Sequence, residues 1–197
     1  MLLLVYRRHR EHVWVEHAIN HIEEALEESG LQPRVPQPPA ICFVDLTGFT
    51  QLTEQRGDEA AAQVAGRLPA LVNEISRSRG GRPIRWLGDG GMFHFREPAR
   101  AVVAGLDMVE GAPAAGLPPA QVGIHTGPVI AQDGDVYGWT VNLAARIAAY
   151  AGAGQVVVSE ETARRAGNAD ELRFMPLGAV VLKGVSTPLP LYQATWN

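Results

Sequence analysis

From Ala40 to Ser159 the chain alternates short apolar runs with longer amphipathic ones, and few folds accept the order in which they come. Ala40 to Val44 reads as a short buried strand that closes on Asp45. Leu52 to about Ser78 reads as a helix, with Val64, Leu68, Leu71, Val72 and Ile75 on one side and Pro69 placed to kink it. The runs 83–87 and 92–95 flank Gly88-Asp89-Gly90-Gly91, a strong hairpin signal because Asp-Gly suits a tight turn. Ala99 to Glu110 follows as a second helix and Gln121 to Ala131 as a strand. This β-α-β-β-α-β order predicts an α+β, ferredoxin-like sheet. Beyond it, Thr140 to Tyr150 reads as an Ala-rich helix and Gln155 to Ser159 as a strand. The tail, 172–196, reads as a short helix exit and two or three strands that extend the sheet.

Residues 1–39 read differently, as an N-terminal helix and linker ahead of a domain spanning 40–197. From His9 to Ser29, Val15, Ile19, Ile22 and Leu26 are spaced 4, 3, 4, an apolar seam of two heptads. Glu23, Glu24, Glu27 and Glu28 crowd the C-terminal end, where negative charge opposes the helix dipole, so this helix needs a partner surface. His17 and His21 are four apart and could share a metal, but surface histidines on a charged helix are the plainer account. Gln32 to Pro39 is Pro-rich and reads as a semi-rigid linker.

Composition narrows the function classes. The 17 basic and 21 acidic residues leave a formal charge of −4, so nothing argues for a nucleic-acid partner. Cys42 is the sole cysteine, which excludes an intrachain disulfide and a Cys-rich zinc site and makes a reducing, cytoplasmic setting the default. No run of about 18 apolar residues exists, so no membrane insertion is expected of this chain. Met1 to Val5 followed by Arg7-Arg8 is also compatible with the end of an upstream sensor or membrane segment.

The expected sheet makes a geometric prediction. Its third strand pairs antiparallel with its first, so Asp89 on the hairpin should lie beside Asp45, 44 positions away in sequence. Paired carboxylates at a sheet edge suit hard divalent cations bound to phosphate. After Asp45, Leu46-Thr47-Gly48-Phe49-Thr50 leads into the long helix, where Gly48 allows close approach and helix-start amides attract phosphate. Taken singly, Asp45 as a helix cap and Asp89 as a turn residue would need no ligand. Farther along, Asn142 and Arg146 are four apart and project from one helix face, among Ala144, Ala145, Ala148 and Ala149. An amide and a guanidinium so placed could orient a ribose and stabilise charge on a transferring phosphorus; a solvated polar stripe is the plainer alternative.

Five segments in order carry a family resemblance. They are Phe43-Val44-Asp45-Leu46-Thr47-Gly48-Phe49-Thr50, Leu87-Gly88-Asp89-Gly90, Gly123-Ile124-His125-Thr126-Gly127, the run from Gly138 to Arg146, and Leu182-Lys183-Gly184. Over roughly 40–194 the chain resembles a class III nucleotidyl cyclase catalytic domain. The resemblance implies that Asp45, Leu46 and Asp89 hold two Mg²⁺ or Mn²⁺ ions. It implies that Thr47, Gly48, Phe49 and Thr50 cover the phosphates, that Asn142 positions the ribose and that Arg146 stabilises the transition state. Lys183 would contact the triphosphate. It further implies a homodimer, with metal carboxylates from one subunit and the Asn/Arg helix from the other.

Base selection is where the sequence departs from the family pattern. Adenine-specific members carry a Lys four residues before the second metal Asp and an Asp seven before the Asn; here those positions are Arg85 and Asp135. A carboxylate accepts from the adenine amine and repels the guanine oxygen, whereas a guanidinium is not interchangeable with an ammonium. The resemblance therefore implies an adenylate cyclase that makes cyclic AMP from ATP. The alternatives are a weak or inactive nucleotide-binding module and a guanylate cyclase. A diguanylate cyclase is disfavoured, because Gly88-Asp89-Gly90-Gly91 lacks an acidic pair. His94 and His125 flank strands near the site and read as packed residues.

Overall fold

β1 (Ala40–Leu46) pairs on both edges and is largely buried on both faces, which is why its residues 40–44 read as an unbroken apolar run. The computed structural model describes residues 38–132, 135–167 and 169–197. The helix expected from His9 to Ser29, its histidines and the linker as far as Gln37 lie outside the described residues.

After β1 come α1 (Phe49–Ser78), β2 (Arg82–Leu87), β3 (Gly90–Phe95), α2 (Pro98–Ala114) and β4 (Ala120–Thr126). Then follow β5 (Ile130–Gln132), β6 (Asp135–Tyr137), α3 (Trp139–Tyr150), β7 (Val156–Ser159), α4 (Glu160–Ala166), β8 (Leu172–Val180) and β9 (Leu189–Trp196). The main sheet runs β2-β3-β1-β4-β7-β9-β8, and β5 pairs with β6 separately. Its first four strands are antiparallel neighbours, the ferredoxin-like order expected from the sequence. β4 and β7 are parallel, and the β8–β9 pair extends the sheet.

Alternation along β1 sorts the core into two layers. Ala40, Cys42, Val44 and Leu46 face a cluster built from α1, α2, Phe93, Phe95, Val122 and Ile124. Ile41 and Phe43 face the other way, toward Met92, Val136 and Ala144. Beside them Leu143 and Ile147 of α3 pack on Val157, Leu182 and Leu191. α3 lies so close to the sheet that a Cβ on Gly123 would stand 2.0 Å from the Ala148 nitrogen and 2.7 Å from the Ile147 carbonyl carbon. Its alanine content follows from that approach.

Three local expectations are corrected. The strand foreseen from Gln121 to Ala131 is two strands, because β4 stops at Thr126. Pro128 has no N–H to donate to a ladder, and its carbonyl accepts from the Thr140 hydroxyl at 2.5 Å, turning the chain toward α3. Helix α4 was not foreseen, although Ser159 caps it by accepting from the Thr162 N–H, with Glu160 and Glu161 in its first turn and Arg164 and Arg165 in its last. Within α1 the backbone leaves helical geometry at Gly57 (φ 80°, ψ 168°), not at Pro69 where a kink was expected.

Gly123→Ala should therefore lose at least about 2 kcal/mol in urea unfolding, since the new methyl meets backbone and no side chain can yield. Gly66→Ala, in α1 with nothing within 4 Å of the added carbon, should instead gain about 0.5–1 kcal/mol. Equal effects from the two changes would refute the close-packing account of α3.

Candidate active site

Strand pairing brings the first two carboxylates together. Asp45 sits opposite Gly90, and the Leu46 N–H donates to the Asp89 carbonyl at 3.3 Å. A Cβ on Gly90 would lie 2.7 Å from the Val44 carbonyl oxygen and 3.1 Å from Asp45 Oδ1, so only glycine lets the two strands close here. Burial pushes the Asp45 carboxyl above the usual carboxylate range and the charge of Asp89 adds to that, while the Leu46 amide opposes it. Among the described residues no third His, Cys, Asp or Glu joins them in a cluster.

Beyond β1 the chain turns at Gly48, whose φ of 77° is the left-handed conformation that favours glycine, and enters α1 at Phe49. The Thr47 N–H donates to the Pro119 carbonyl at 2.8 Å and its hydroxyl to Gln121 Oε1 at 3.3 Å, which ties the turn to β4. Phe49 packs against the core, and Thr50 falls in the first turn of α1. Asp45 also borders a shallow pocket with Phe43, Gly90, Gly91, Ala145 and Ala148.

A second group gathers at α3. Asn142 and Arg146 are exposed, while Ala145, Ala148 and Ala149 of the same helix line the pocket beside Asp45. Leu182 is buried among Leu143 and Ile147 and anchors a turn closed by the Val185 N–H on its carbonyl at 3.1 Å. That turn carries exposed Lys183 and sets the Cβ position of Gly184 3.9 Å from Arg146 Nη2. The chain thus joins Asp45 to Asp89 and brings Arg146 to the turn of Lys183. Among the described residues no hydrogen bond or ion pair links the two groups.

The positions expected from the sequence to select the base form a third group. Arg85 on β2 donates through Nη2 to Asp135 Oδ2 on β6. The Tyr137 hydroxyl donates to the same oxygen at 3.2 Å, the Val136 N–H donates to Oδ1 at 2.9 Å, and the Arg85 Cζ stands 6.0 Å from the Tyr137 ring centroid. Burial pushes the Asp135 carboxyl up, but Arg85, the Val136 amide and Tyr137 together hold it below the usual range. The bond to Asp135 likewise raises Arg85. Sequence reasoning missed Tyr137; its signal was an aromatic two residues from Asp135, on the same face of a strand.

With this geometry, the comparisons with known proteins decide the family. Residues 35–195 match the family model described as the adenylate and guanylate cyclase catalytic domain. The chain belongs to that family. An adenylate cyclase of Streptomyces coelicolor is 30% identical over 148 residues, covering 75% of this chain and 39% of its own length. The chain spans about two fifths of the length of several of the relatives it matches and no more than that of the others. The adenylyl cyclase CyaB from P. aeruginosa shares the fold with a TM-score of 0.72 and 24% identity, covering 81% of this chain and 94% of that one. The guanylate cyclase domain of RhGC from Catenaria anguillulae, in complex with GTP, does so with a TM-score of 0.72 and 21% identity, covering 82% and 97%.

One cyclase motif residue, His125, has a structural use in this chain. Its Nδ1 shares a hydrogen bond of 2.7 Å with the Ser159 hydroxyl, which caps α4 and also meets the Thr162 hydroxyl at 3.1 Å. Thr162 in turn meets the Thr126 hydroxyl at 3.0 Å. Burial lowers His125 to about 4, with Glu161 opposing. The unfolded chain therefore binds a proton near pH 6.5 that the folded domain refuses until about pH 4. His94 is lowered too, by burial and then by Arg82 and Arg96, and acts in the same direction. The His125 share of the stability should be full above about pH 6.5 and fall by up to about 3 kcal/mol toward pH 4. Urea unfolding across that range, compared with His125→Asn, checks it: the variant should show a clearly shallower fall.

Proposed function

We propose that this cyclase domain converts ATP to 3′,5′-cyclic AMP and pyrophosphate, at sites shared between two copies of the chain. The observation that carries the reading is the convergence of Asp45 and Asp89 across the β1–β3 register. A half-buried carboxylate whose proton affinity is raised by burial and by the charge of Asp89 is a fitting seat for positive charge, and oxygen donors suit hard cations. Asp45, Asp89 and the Leu46 carbonyl, the only oxygen that residue offers, would hold Mg²⁺ or Mn²⁺. Bound there, the cations supply charge neutralisation of the triphosphate and activation of the ribose 3′-oxygen.

The remaining roles belong to the chain. Gly48, Phe49 and Thr50 lead the chain into α1, whose first-turn amides would face phosphate oxygens, and Thr47, its own N–H bonded to the Pro119 carbonyl, holds that turn in place. Asn142 orients the ribose for in-line attack of its 3′-oxygen on the α-phosphorus. Arg146 stabilises the charge that develops there, and Lys183 holds the leaving pyrophosphate. Asp135 accepts from the adenine exocyclic amine and Arg85 donates to a ring nitrogen. The case for a homodimer is that α3 turns its alanines toward the pocket beside Asp45 and leaves Asn142 and Arg146 exposed, available to a second copy.

A second reading, nucleotide binding with little turnover, is favoured by the Arg85–Asp135 bond, which engages the base-selection pair within the chain itself. Product analysis with ATP and Mn²⁺ separates the two. Cyclic AMP should form, and Asp45→Ala or Arg146→Ala should each lower kcat about 10²- to 10³-fold. Mixing those two inactive variants should restore about a quarter of the parent activity, because half the dimers then hold one intact site of two. No recovery on mixing would refute the shared site, and an inactive parent that keeps ATP intact would favour the second reading.

A further inference from the structure

A carboxylate offers about four lone-pair positions, and three of those on Asp135 are taken. Oδ2 accepts from Arg85 Nη2 and from the Tyr137 hydroxyl at 3.2 Å; Oδ1 accepts the Val136 N–H at 2.9 Å. One position on Oδ1 is left for a base. An arginine facing a carboxylate is drawn toward a two-pronged pair, which would occupy that position as well. Arg85 nonetheless makes a single bond, to Oδ2. The carboxylate is restrained from two sides, by the Val136 amide on one oxygen and by the Tyr137 hydroxyl on the other. The Tyr137 ring, 6.0 Å from the Arg85 Cζ, also limits how the guanidinium can turn. Tyr137 and Asp135 share one face of β6, so this reach is set by the backbone.

We propose that Tyr137 is the positioning residue that makes an arginine workable at the base-selection pair: its hydroxyl holds Asp135 so that Arg85 engages one carboxylate oxygen and the other stays open to an adenine amine. The inference rests on the reading of Arg85 and Asp135 given above and adds a residue to it. A lysine at position 85 would need no such restraint, because an ammonium is a point donor and lacks the planar fork that matches both oxygens.

The test uses Tyr137→Phe, which keeps the ring beside Arg85 and removes only the hydroxyl, together with Arg85→Lys and the double variant. Steady-state rates with ATP and GTP report kcat and KM. Binding of 2′,3′-dideoxy-ATP and 2′,3′-dideoxy-GTP, which lack the attacking hydroxyl, reports base preference without turnover. Tyr137→Phe should lower the preference for the adenine nucleotide about five-fold, the size of one net hydrogen bond. The loss should fall in KM and dideoxy-ATP affinity, with kcat within about two-fold of the parent. In the Arg85→Lys background the same change should have little effect, because no fork remains to be restrained.

Unchanged preference in Tyr137→Phe, or an equal loss in the Arg85→Lys background, overturns the proposal. The two readings fail separately. A parent that makes cyclic AMP while Tyr137→Phe keeps the parent's preference removes the role of Tyr137 and leaves the reaction standing. A parent that yields no cyclic product, but whose dideoxy-ATP preference falls in Tyr137→Phe, removes the reaction and supports the role of Tyr137. A parent indifferent to the base overturns the assignments of both Asp135 and Tyr137.

Discussion

The antiparallel register that sets Asp45 opposite Gly90 is the constraint on which the rest depends. It fixes where β1 ends relative to the hairpin, and hence how near two acidic side chains from distant segments come to lie. The register is held by burial. A one-residue slip of β1 would exchange Ala40, Cys42, Val44 and Leu46 for Ile41 and Phe43 across both core layers, overpacking one layer with the larger side chains and leaving cavities in the other. The site geometry is therefore enforced by the packing of the whole central sheet, and the like-charge cost at Asp45 is borne by that packing.

Glycines decide how close the elements come. Gly90 admits the Val44 carbonyl and the Asp45 carboxylate, and Gly123 admits the backbone of α3. Neither position is a matter of turn geometry: φ is positive at neither, and what matters is the missing side chain. Both contacts lie beside the same alanine-walled pocket, so the separation of the helix from the sheet edge that carries Asp45 and Asp89 is set by atoms that are absent.

Much of this was readable from the sequence because the informative signals are local. The strand order, the hairpin at Gly88-Asp89-Gly90-Gly91 and the juxtaposition of Asp45 with Asp89 all follow from period and turn chemistry. What escaped were features set by non-local partners. β4 ends where Pro128 meets Thr140, a contact no window of sequence displays. The break in α1 falls at Gly57, since a proline such as Pro69 can keep helical angles while a glycine can leave them without steric cost. α4 is signalled by Ser159-Glu160-Glu161 and its basic last turn, but its 7 residues are too few for a helical period to stand out.

The three polar groups at the site differ in their relation to the chain that carries them. Asp45 and Asp89 meet within one sheet, and Arg85 meets Asp135 across two, so each pair is complete in a single copy. Asn142, Arg146 and Lys183 are exposed, and the backbone frame of α3 and the 182–184 turn presents them outward. A group that must bind charge in a developing transition state gains from being held rigidly yet left unpaired, because any internal partner would have to be displaced first. Arg146 beside the Lys183 turn, with no acidic partner among the described residues, meets that condition. Arg85, already bonded to Asp135, does not, which fits the role proposed for it in recognising the base and sets it apart from the groups proposed to act on phosphorus.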